Sequence, residues 1–507
     1  MTTATPPLAG VREWTGLAVL ALACILYSMD LTVLHLAVPQ IGADLKPTSS
    51  QLLWIIDIYG FFVAGSLITM GNLGDRIGRR RLLLIGAVTF GITSVLAAFS
   101  TSAEMLIVSR ALLGISGATI APSTLSLIRN MFHNKDQRTL AIGVWISSFS
   151  AGAAIGPLLG GVLLEYFWWV SVFLLAVPVM AVLLVLGPKV LPEFKDPQTR
   201  RLDIVSAALS LGAILAVIYG VKQIAPEGLG LQPALFVVTG VAIGVLFLRR
   251  QKRLEHPLID LHLFRIPAFG ASLATFVLGV FVTFGVFVFV AQYLQLVRDL
   301  SPLEAGLWML PWALAFVAGS TLTPAIVRRV RPGLVIAGGL ALAAIGFGLL
   351  AQLDEQTSFV ILAAGLAISS LGLAPVFTLA TDLVVGSAPP ERAGSASAIS
   401  ETTAELGGAL GIAILSSVGT AIYRSEVSQA IPAGVPDKAR EVAVDTLGGA
   451  VGVAEQLPAE LGSLLLDSAR SAFIHGLQLT VVISVAVAAA AAVLVFVALR
   501  NVQRRSE

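Results

Sequence analysis

The sequence predicts an all-α, polytopic membrane protein, and three observations support this prediction. Of its 507 residues, 56% are hydrophobic and only 12% are charged, whereas about 25% are charged in an average soluble domain. The mean hydropathy is +0.90, and long apolar runs recur along the whole chain. Short clusters of basic residues separate these runs, as expected where membrane helices emerge into water.

Fourteen apolar segments are long enough to cross a bilayer, which takes about 20 residues in a helix. The first segment is longer than the apolar region of a signal peptide and ends at Pro39 without a small-residue cleavage pattern, so we expect it to remain as a membrane helix. The segments run over residues 14–38, 51–72, 82–100, 104–128, 139–163, 169–189, 203–222, 232–248, 269–293, 303–326, 333–352, 357–381, 394–420 and 474–499.

The basic residues predict the orientation of these helices. An even number of helices places both termini on one side of the membrane. With the amino terminus inside, the inner segments carry 24 of the 32 Lys and Arg residues and the outer segments carry seven, an excess that marks the cytoplasmic side. The acidic segment of about 423–473 is then a long extracellular loop with short amphipathic helices, and it acts either as a solvated cap or as part of a gate.

Composition argues against several other functions. A net charge of +2, with the basic residues in short clusters, does not suit a nucleic-acid-binding surface. Cys24 is the only cysteine, which excludes an internal disulfide and a Cys-based metal site. The sequence has no recognisable phosphate-binding loop, metal cluster or hydrolytic triad. We therefore expect no cofactor, and a proton gradient as the energy source.

Residues 71–82 form a glycine-bounded turn with one acid among four arginines. A loop that only fixed topology would need the arginines but neither the glycines nor Asp75. The run resembles the signature of the major facilitator superfamily, with Gly74 in place of the usual Ala. This resemblance implies a conformational latch that stabilises the outward-open state, and a carboxylate beside a guanidinium or a helix N-terminus is suited to that role. The latch residues are Gly71, Asp75, Arg76, Gly78 and Arg79.

A single arginine, Arg110, lies inside the fourth predicted helix, in a run over residues 106–118 that resembles a second motif of the same superfamily. An arginine within a membrane helix is costly and needs a partner or a wet cavity. Arg110 either pins two helices together or, as the resemblance implies, lies beside the proton-binding acids.

The fifth predicted helix carries four glycines and a proline at regular spacing: Gly152, Gly156, Pro157, Gly160 and Gly161. Small residues four apart allow two helices to approach closely, and proline kinks a helix, so tight packing is one interpretation. The run also resembles the antiporter motif of drug exporters, which implies export rather than uptake.

Shorter runs at residues 30–39, 54–59, 292–295, 301–306 and 405–411 resemble the fourteen-helix drug:proton antiporters, particularly bacterial exporters of quaternary ammonium compounds, dyes and fluoroquinolones. The resemblance implies two six-helix bundles, at residues 1–190 and 269–507, with two additional helices in residues 191–268. It also implies a multi-pass protein of the bacterial cytoplasmic membrane that exports lipophilic cations in exchange for protons. We expect it to work as a monomer in the lipid bilayer.

Four acids lie within the predicted helices and are functional candidates, because a carboxylate is costly in hydrocarbon. Asp30 and Asp57 belong to the first two helices, although Asp57 is close enough to the outer surface to be merely interfacial. Glu401 and Glu405 are four residues apart and share one helical face. Two like charges at that spacing do not both ionise readily in a partly dry cavity, so this pair is expected to exchange a proton near neutral pH.

A lipophilic cation also needs an apolar cavity with aromatic faces. The candidate wall residues are Trp54, Tyr59, Trp145, Phe149, Tyr293 and Trp308. His35 stands where the antiporters often have Asn, and it either contacts lipid or a polar neighbour or adds a titratable group to the cavity. The sequence leaves two other functions open, namely an exporter of one endogenous compound and a membrane-embedded enzyme or sensor.

Overall fold

The protein is described by a computed structural model that covers residues 8–47, 49–195, 203–227, 230–254, 257–389, 393–432 and 434–498. These residues form α-helices and no strand. The helices are α1 Val11–Leu45, α2 Ser49–Ile77, α3 Arg79–Ala98, α4 Ala103–Gly117, α5 Ile120–Met131, α6 Lys135–Tyr166, α7 Val170–Leu174, α8 Ala176–Val190, α9 Ile204–Glu227, α10 Leu231–Gln251, α11 Pro267–Gln292, α12 Pro302–Arg329, α13 Pro332–Leu350, α14 Phe359–Ser387, α15 Ala393–Ala430, α16 Asp437–Asp445, α17 Leu447–Ala454 and α18 Ala459–Ala498.

Each of the fourteen predicted membrane segments coincides with helical structure. Thirteen stretches of the described chain are long and apolar enough to cross a membrane. The remaining predicted segment, 139–163, lies within α6, whose 32 residues span about 48 Å and exceed the roughly 30 Å hydrocarbon thickness of a bilayer. The fourth segment is divided into α4 and α5, and the sixth into α7 and α8.

The segment 423–473, predicted as a long loop with short amphipathic helices, is mostly helical. The helix α15 continues to Ala430 and α18 begins at Ala459, so that only α16 and α17 lie between them. The last turns of α15 pack on α16: the Tyr423 hydroxyl donates to the Ala443 carbonyl (2.7 Å), and Arg424 pairs with Asp445. Hydropathy locates the apolar part of a helix and not its polar ends. The sequence therefore predicted the end of α15 too early and the start of α18 too late.

The membrane helices pack mainly in two groups. In the N-half, α1 packs on α6, α2 on α4, and α3 on both α4 and α8. In the C-half, α11 packs on α15, α12 on α14, and α13 on both α14 and α18. The helices α9 and α10 form a hairpin between the halves, referred to below as the inserted hairpin, and α9 also contacts α2 and α15. The exact domain limits, 1–190, 191–268 and 269–507, stay a prediction.

Candidate functional site

A buried ion pair joins the first, second and fourth membrane segments. The Arg110 guanidinium lies 2.7 Å from the Asp30 carboxylate, and the two residues are 1% and 5% exposed. Arg110 also donates to the Ile55 carbonyl of α2 at 3.1 Å and lies 4.7 Å above the Tyr59 ring. Arg110 thus links three helices and pairs with one of the candidate acids, and the role of that acid in proton binding stays a prediction.

The second pair of acids faces the N-half from α15. Glu401 and Glu405 are both partly buried and interact electrostatically with each other. Across the interface between the halves, Cys24 and Tyr27 of α1 lie within electrostatic range of this pair. Tyr59 interacts with both Asp30 and Glu405. The candidate acids of the two halves therefore belong to one charged region.

Two tyrosines lie between these groups of acids. The Tyr59 hydroxyl donates to the Tyr27 carbonyl at 3.4 Å, and the two ring centroids are 6.3 Å apart. Sequence reasoning missed Tyr27, although it precedes Asp30 by three residues and so shares its helical face. Asp57 is partly buried on α2, next to the Ile56 carbonyl to which Arg110 donates at 3.4 Å.

Three of the six predicted wall aromatics belong to this region. Tyr59 packs on Tyr27, Phe149 contacts the Tyr27 ring edge-on with centroids 5.7 Å apart, and Trp145 packs on Phe149 at 4.8 Å. Trp145 is itself buried, and its indole N–H donates to Thr124 at 2.8 Å.

The other three predicted wall aromatics pack away from this cluster of acids and tyrosines. Trp54 stacks on Tyr219 of the inserted hairpin, with centroids 5.7 Å apart. Tyr293 donates to the Asp354 carbonyl in the loop after α13, and Trp308 stacks on Phe359 at the start of α14. The sequence could not identify the helical face of each residue, because aromatic side chains also pack between helices and at helix ends.

The predicted latch connects the two halves at the end expected to be cytoplasmic. Asp75 pairs with Arg79, and the two residues are 3% and 0% exposed. The second carboxylate oxygen of Asp75 accepts from the backbone N–H of Ser395 at 3.2 Å and from its hydroxyl at 3.4 Å. Ser395 lies in the first turn of α15, where the helix dipole favours a negative charge. A Cβ at Gly74 would lie 2.5 Å from the Arg79 guanidinium, so an alanine here would require the Arg79 side chain to shift.

The turn at Gly78 is held by a carboxylate that sequence reasoning missed. Gly78 has φ = 111°, a conformation that only glycine adopts readily. Glu193, just after α8, accepts from the backbone N–H groups of Arg80 and Arg81 at 3.1 and 3.2 Å, at the start of α3. A Cβ at Gly78 would lie 2.5 Å from this carboxylate. Gly71, the first glycine of the run, is buried within α2.

Four further polar contacts join the halves at the same end. Arg138 and Thr139 of α6 bond to the Asp382 carboxylate at 3.0 and 3.1 Å. Arg129 donates to the Ala388 carbonyl at 2.6 Å, and Arg328 pairs with Asp136 at 2.8 Å. Together with Asp75 and Ser395 these residues close the interface between the halves at this end, and the set is referred to below as the cytoplasmic gate, after the orientation predicted from the sequence.

The glycines of α6 pack against α1. Gly152 lies against the Ile25 carbonyl and Gly156 against Thr32 and Met29, and a Cβ at either position would clash with these atoms. Gly160 is buried, whereas Gly161 is exposed and has open space around it, so the close approach depends on the first two glycines. The side chains of Pro157 and His35 lie outside the described residues.

Comparison with known proteins agrees with this architecture. The family described as Major Facilitator Superfamily matches residues 20–412. The multidrug efflux pump LfrA of Mycolicibacterium smegmatis is 44% identical over 99% of this chain and 98% of its own. The methyl viologen resistance protein SmvA of Salmonella typhimurium is 39% identical over 91% and 93%. The tetracenomycin C resistance and export protein of Streptomyces glaucescens is 32% identical over 92% and 88%.

Two solved structures share the fold. The human organic anion transporter MFSD10 has a TM-score of 0.61 at 15% identity, with 94% of this chain and 99% of that chain covered. A bacterial homologue of the human lysosomal transporter Spinster, in an inward-facing conformation, has a TM-score of 0.55 at 18% identity over 97% and 99%. With a family match over most of its length, fourteen helical membrane segments and this arrangement of helices, the chain belongs to the Major Facilitator Superfamily of membrane transporters.

Proposed function

We propose that the protein is a proton-coupled exporter of lipophilic, mostly cationic compounds in the bacterial cytoplasmic membrane, with both termini in the cytoplasm. The observation that carries this proposal is that Tyr59 lies within electrostatic range of both the Asp30–Arg110 ion pair and Glu405, which in turn acts on Glu401. Relatives whose names describe multidrug efflux and drug resistance support the direction of transport.

Protons and drug compete for the same carboxylates in this mechanism. Glu401 and Glu405 repel each other when both are ionised, so they are most stable with one proton or one cation between them. A cationic drug that arrives from the cytoplasm displaces the proton and is released outside when the acids are reprotonated. The rings of Tyr27, Tyr59 and Phe149 pack on one another in this structure, and movement of the halves would expose their faces to an aromatic or quaternary cation.

The exchange requires the site to open to each side in turn. The cytoplasmic gate is closed in this structure, and the bond from Asp75 to the first turn of α15 stabilises the closed gate. To admit drug from the cytoplasm, the halves must break this bond and the contacts to Asp382, Ala388 and Asp136. The energy comes from the proton gradient, without a cofactor, and a single chain in the bilayer contains the complete site.

Purified protein in liposomes provides the direct test. A pH difference should drive an intercalating dye or a quaternary ammonium compound against its gradient, and Glu405→Gln should slow this movement strongly. Glu426→Gln is a matched control, because Glu426 lies on the same helix but pairs with His475 at the outer end (2.7 Å). Wild-type transport that ignores the pH difference, or equal effects of the two variants, would contradict the proposal.

A second candidate is a dedicated exporter of one compound made by the host. Its support is the similarity to the tetracenomycin C exporter and to a puromycin resistance protein of Streptomyces alboniger, which is 33% identical over 91% of this chain and 93% of its own. Growth of expressing cells against a panel of unrelated cations separates the candidates, since protection against a single compound would favour the dedicated exporter.

A further inference from the structure

The inserted hairpin contacts both halves beside the latch. Its first helix, α9, packs against α2, which carries Asp75, and against α15, which carries Ser395. The contact with α2 is close at Gly65, where an added Cβ would clash with the Leu211 side chain of α9. The hairpin is therefore packed into the structure at the place where the two halves meet.

A separate hydrophobic cluster extends this contact to the C-half. It includes Phe61 and Ile68 of α2, Ile214 and Ile218 of α9, and Phe247 of α10. The same cluster includes Leu258, Ile259 and Leu263 from the linker after α10, together with Ala388, Ala396 and Ile399 of the C-half. Because one apolar cluster contains side chains of the N-half, the inserted hairpin and the C-half, opening of the gate must divide it.

Asp203 provides a polar connection from the hairpin to the latch. Its carboxylate caps α9 by accepting from the backbone N–H groups of Val205 and Ser206 at 3.1 and 3.3 Å. It also pairs with Arg250 of α10 at 2.9 Å, which closes the cytoplasmic end of the hairpin. The Arg76 side chain interacts electrostatically with both Asp203 and Asp75. Arg76 of α2 thus lies within electrostatic range of both the latch carboxylate and the carboxylate at the start of α9.

The Asp203 carboxylate is charged at neutral pH. Burial alone would raise its pKa, but hydrogen bonds from Ser206 and the hydrogen bond and charge of Arg250 hold the pKa below the usual range. A permanent negative charge at this position stabilises the nearby Arg76 guanidinium of α2.

From these contacts we infer that the inserted hairpin is a component of the cytoplasmic gate, and that Asp203 is the positioning residue that couples it to the latch through Arg76. This inference rests on the alternating-access function proposed above. In the closed state the hairpin holds α2 and α15 together, and it adds to the stability of the outward-facing conformation. A hairpin that only filled space between the halves would have no such effect on the conformational equilibrium.

The test measures opening of the gate by thiol labelling from the cytoplasmic side. The reporter is Ser397→Cys in a Cys24→Ala background, because Ser397 is buried near the start of α15 when the gate is closed. Each variant is first checked for a single monodisperse peak in size-exclusion chromatography. Asp203→Ser keeps a capping side chain for α9 but removes the charge that faces Arg76. We expect labelling to rise about threefold, in the range of a partly exposed ion pair. In an Arg76→Gln background, Asp203→Ser should raise labelling no further, because Asp203 acts through Arg76.

Two other variants complete the design. Asp260→Ser removes a negative charge from the linker after α10, where Asp260 pairs with His262 (3.1 Å), and should leave labelling unchanged. Gly65→Val separates α9 from α2 through the apolar contact, independently of Asp203, and should raise labelling as Asp203→Ser does.

The outcomes distinguish this inference from the proposed function. Unchanged labelling in Asp203→Ser and Gly65→Val, with increased labelling in Asp75→Asn, would overturn the role of the hairpin and leave the latch intact. Unchanged labelling in Asp75→Asn as well would instead remove the latch from the proposed function.

Discussion

Replacement of Asp75 by Asn should shift the protein toward the inward-facing state. Asp75 pairs with Arg79 on its own side of the interface and bonds to Ser395 on the other. Only the bond to Ser395 must break when the gate opens, because Arg79 stays on the N-half. The effect of replacing Asp75 on the balance between the states is therefore set by its contacts with Ser395.

The size of the shift follows from the nature of the bond. A hydrogen bond to a charged group contributes about 1.5–3 kcal/mol and a neutral one about 1 kcal/mol. Loss of the charge should thus weaken the closed gate by about 0.5–2 kcal/mol, a factor of about 2–30 in the ratio of the two states. Ser395→Ala removes only the longer hydroxyl contact and keeps the backbone N–H, so it should shift the ratio less than about twofold.

The assay combines thiol labelling with transport. Asp75→Asn should raise the labelling of Ser397→Cys from the cytoplasmic side and should slow turnover for every substrate by a similar factor, because a conformational step is altered and not a binding contact. Ser395→Ala serves as the graded control. Normal labelling and normal turnover in Asp75→Asn would refute the reasoning, and a loss confined to one substrate would show that Asp75 contacts ligand.

Three further predictions concern the ion pair, the turn and the topology. Asp30→Asn should abolish turnover while the protein remains inserted, because the buried Arg110 loses its charged partner; full transport of a dye in liposomes would contradict this. Gly78→Ala should lower the melting temperature of the purified protein, since strain at this φ costs about 1–3 kcal/mol. Adding Glu193→Ala should not restore the melting temperature, because the strain lies in the backbone and not in the contact with Glu193. A reporter fused after Glu507 and a thiol at Gly434 should be labelled from opposite sides of the membrane, whereas labelling of both from outside would overturn the predicted orientation.

The sequence predicted the membrane segments well because the requirement for about 20 apolar residues is strict and local. It was less accurate for 423–473, where helices continue beyond the apolar core through polar contacts such as Tyr423 with Ala443. The charged residues Asp30, Arg110 and Asp75 could be singled out because a charge in or beside hydrocarbon needs a reason.

The partners of these residues could not be predicted from the sequence. Ser395 is separated from Asp75 by more than three hundred residues, and Glu193 caps α3 from the far end of the N-half. Nothing in the local pattern indicates such long-range pairs. Trp54 is a further example, because its position along α2 does not reveal that its side chain stacks on Tyr219 of the inserted hairpin.

The most direct test of the account is the response of transport to membrane potential. Exchange of one proton for one monovalent cation moves no net charge, whereas exchange of two protons moves one charge inward. At 100 mV this charge contributes about 2.3 kcal/mol, or about 50-fold in the limiting drug gradient. Since the site contains Asp30 together with Glu401 and Glu405, more than one proton should be exchanged for each drug molecule.

The measurement is dye efflux from proteoliposomes clamped at zero and at negative inside potential, with the pH difference fixed. Wild-type efflux should accelerate at negative potential, and Glu405→Gln should lose or reduce this response. Wild-type rates that do not change with potential would contradict the account of coupling through three carboxylates.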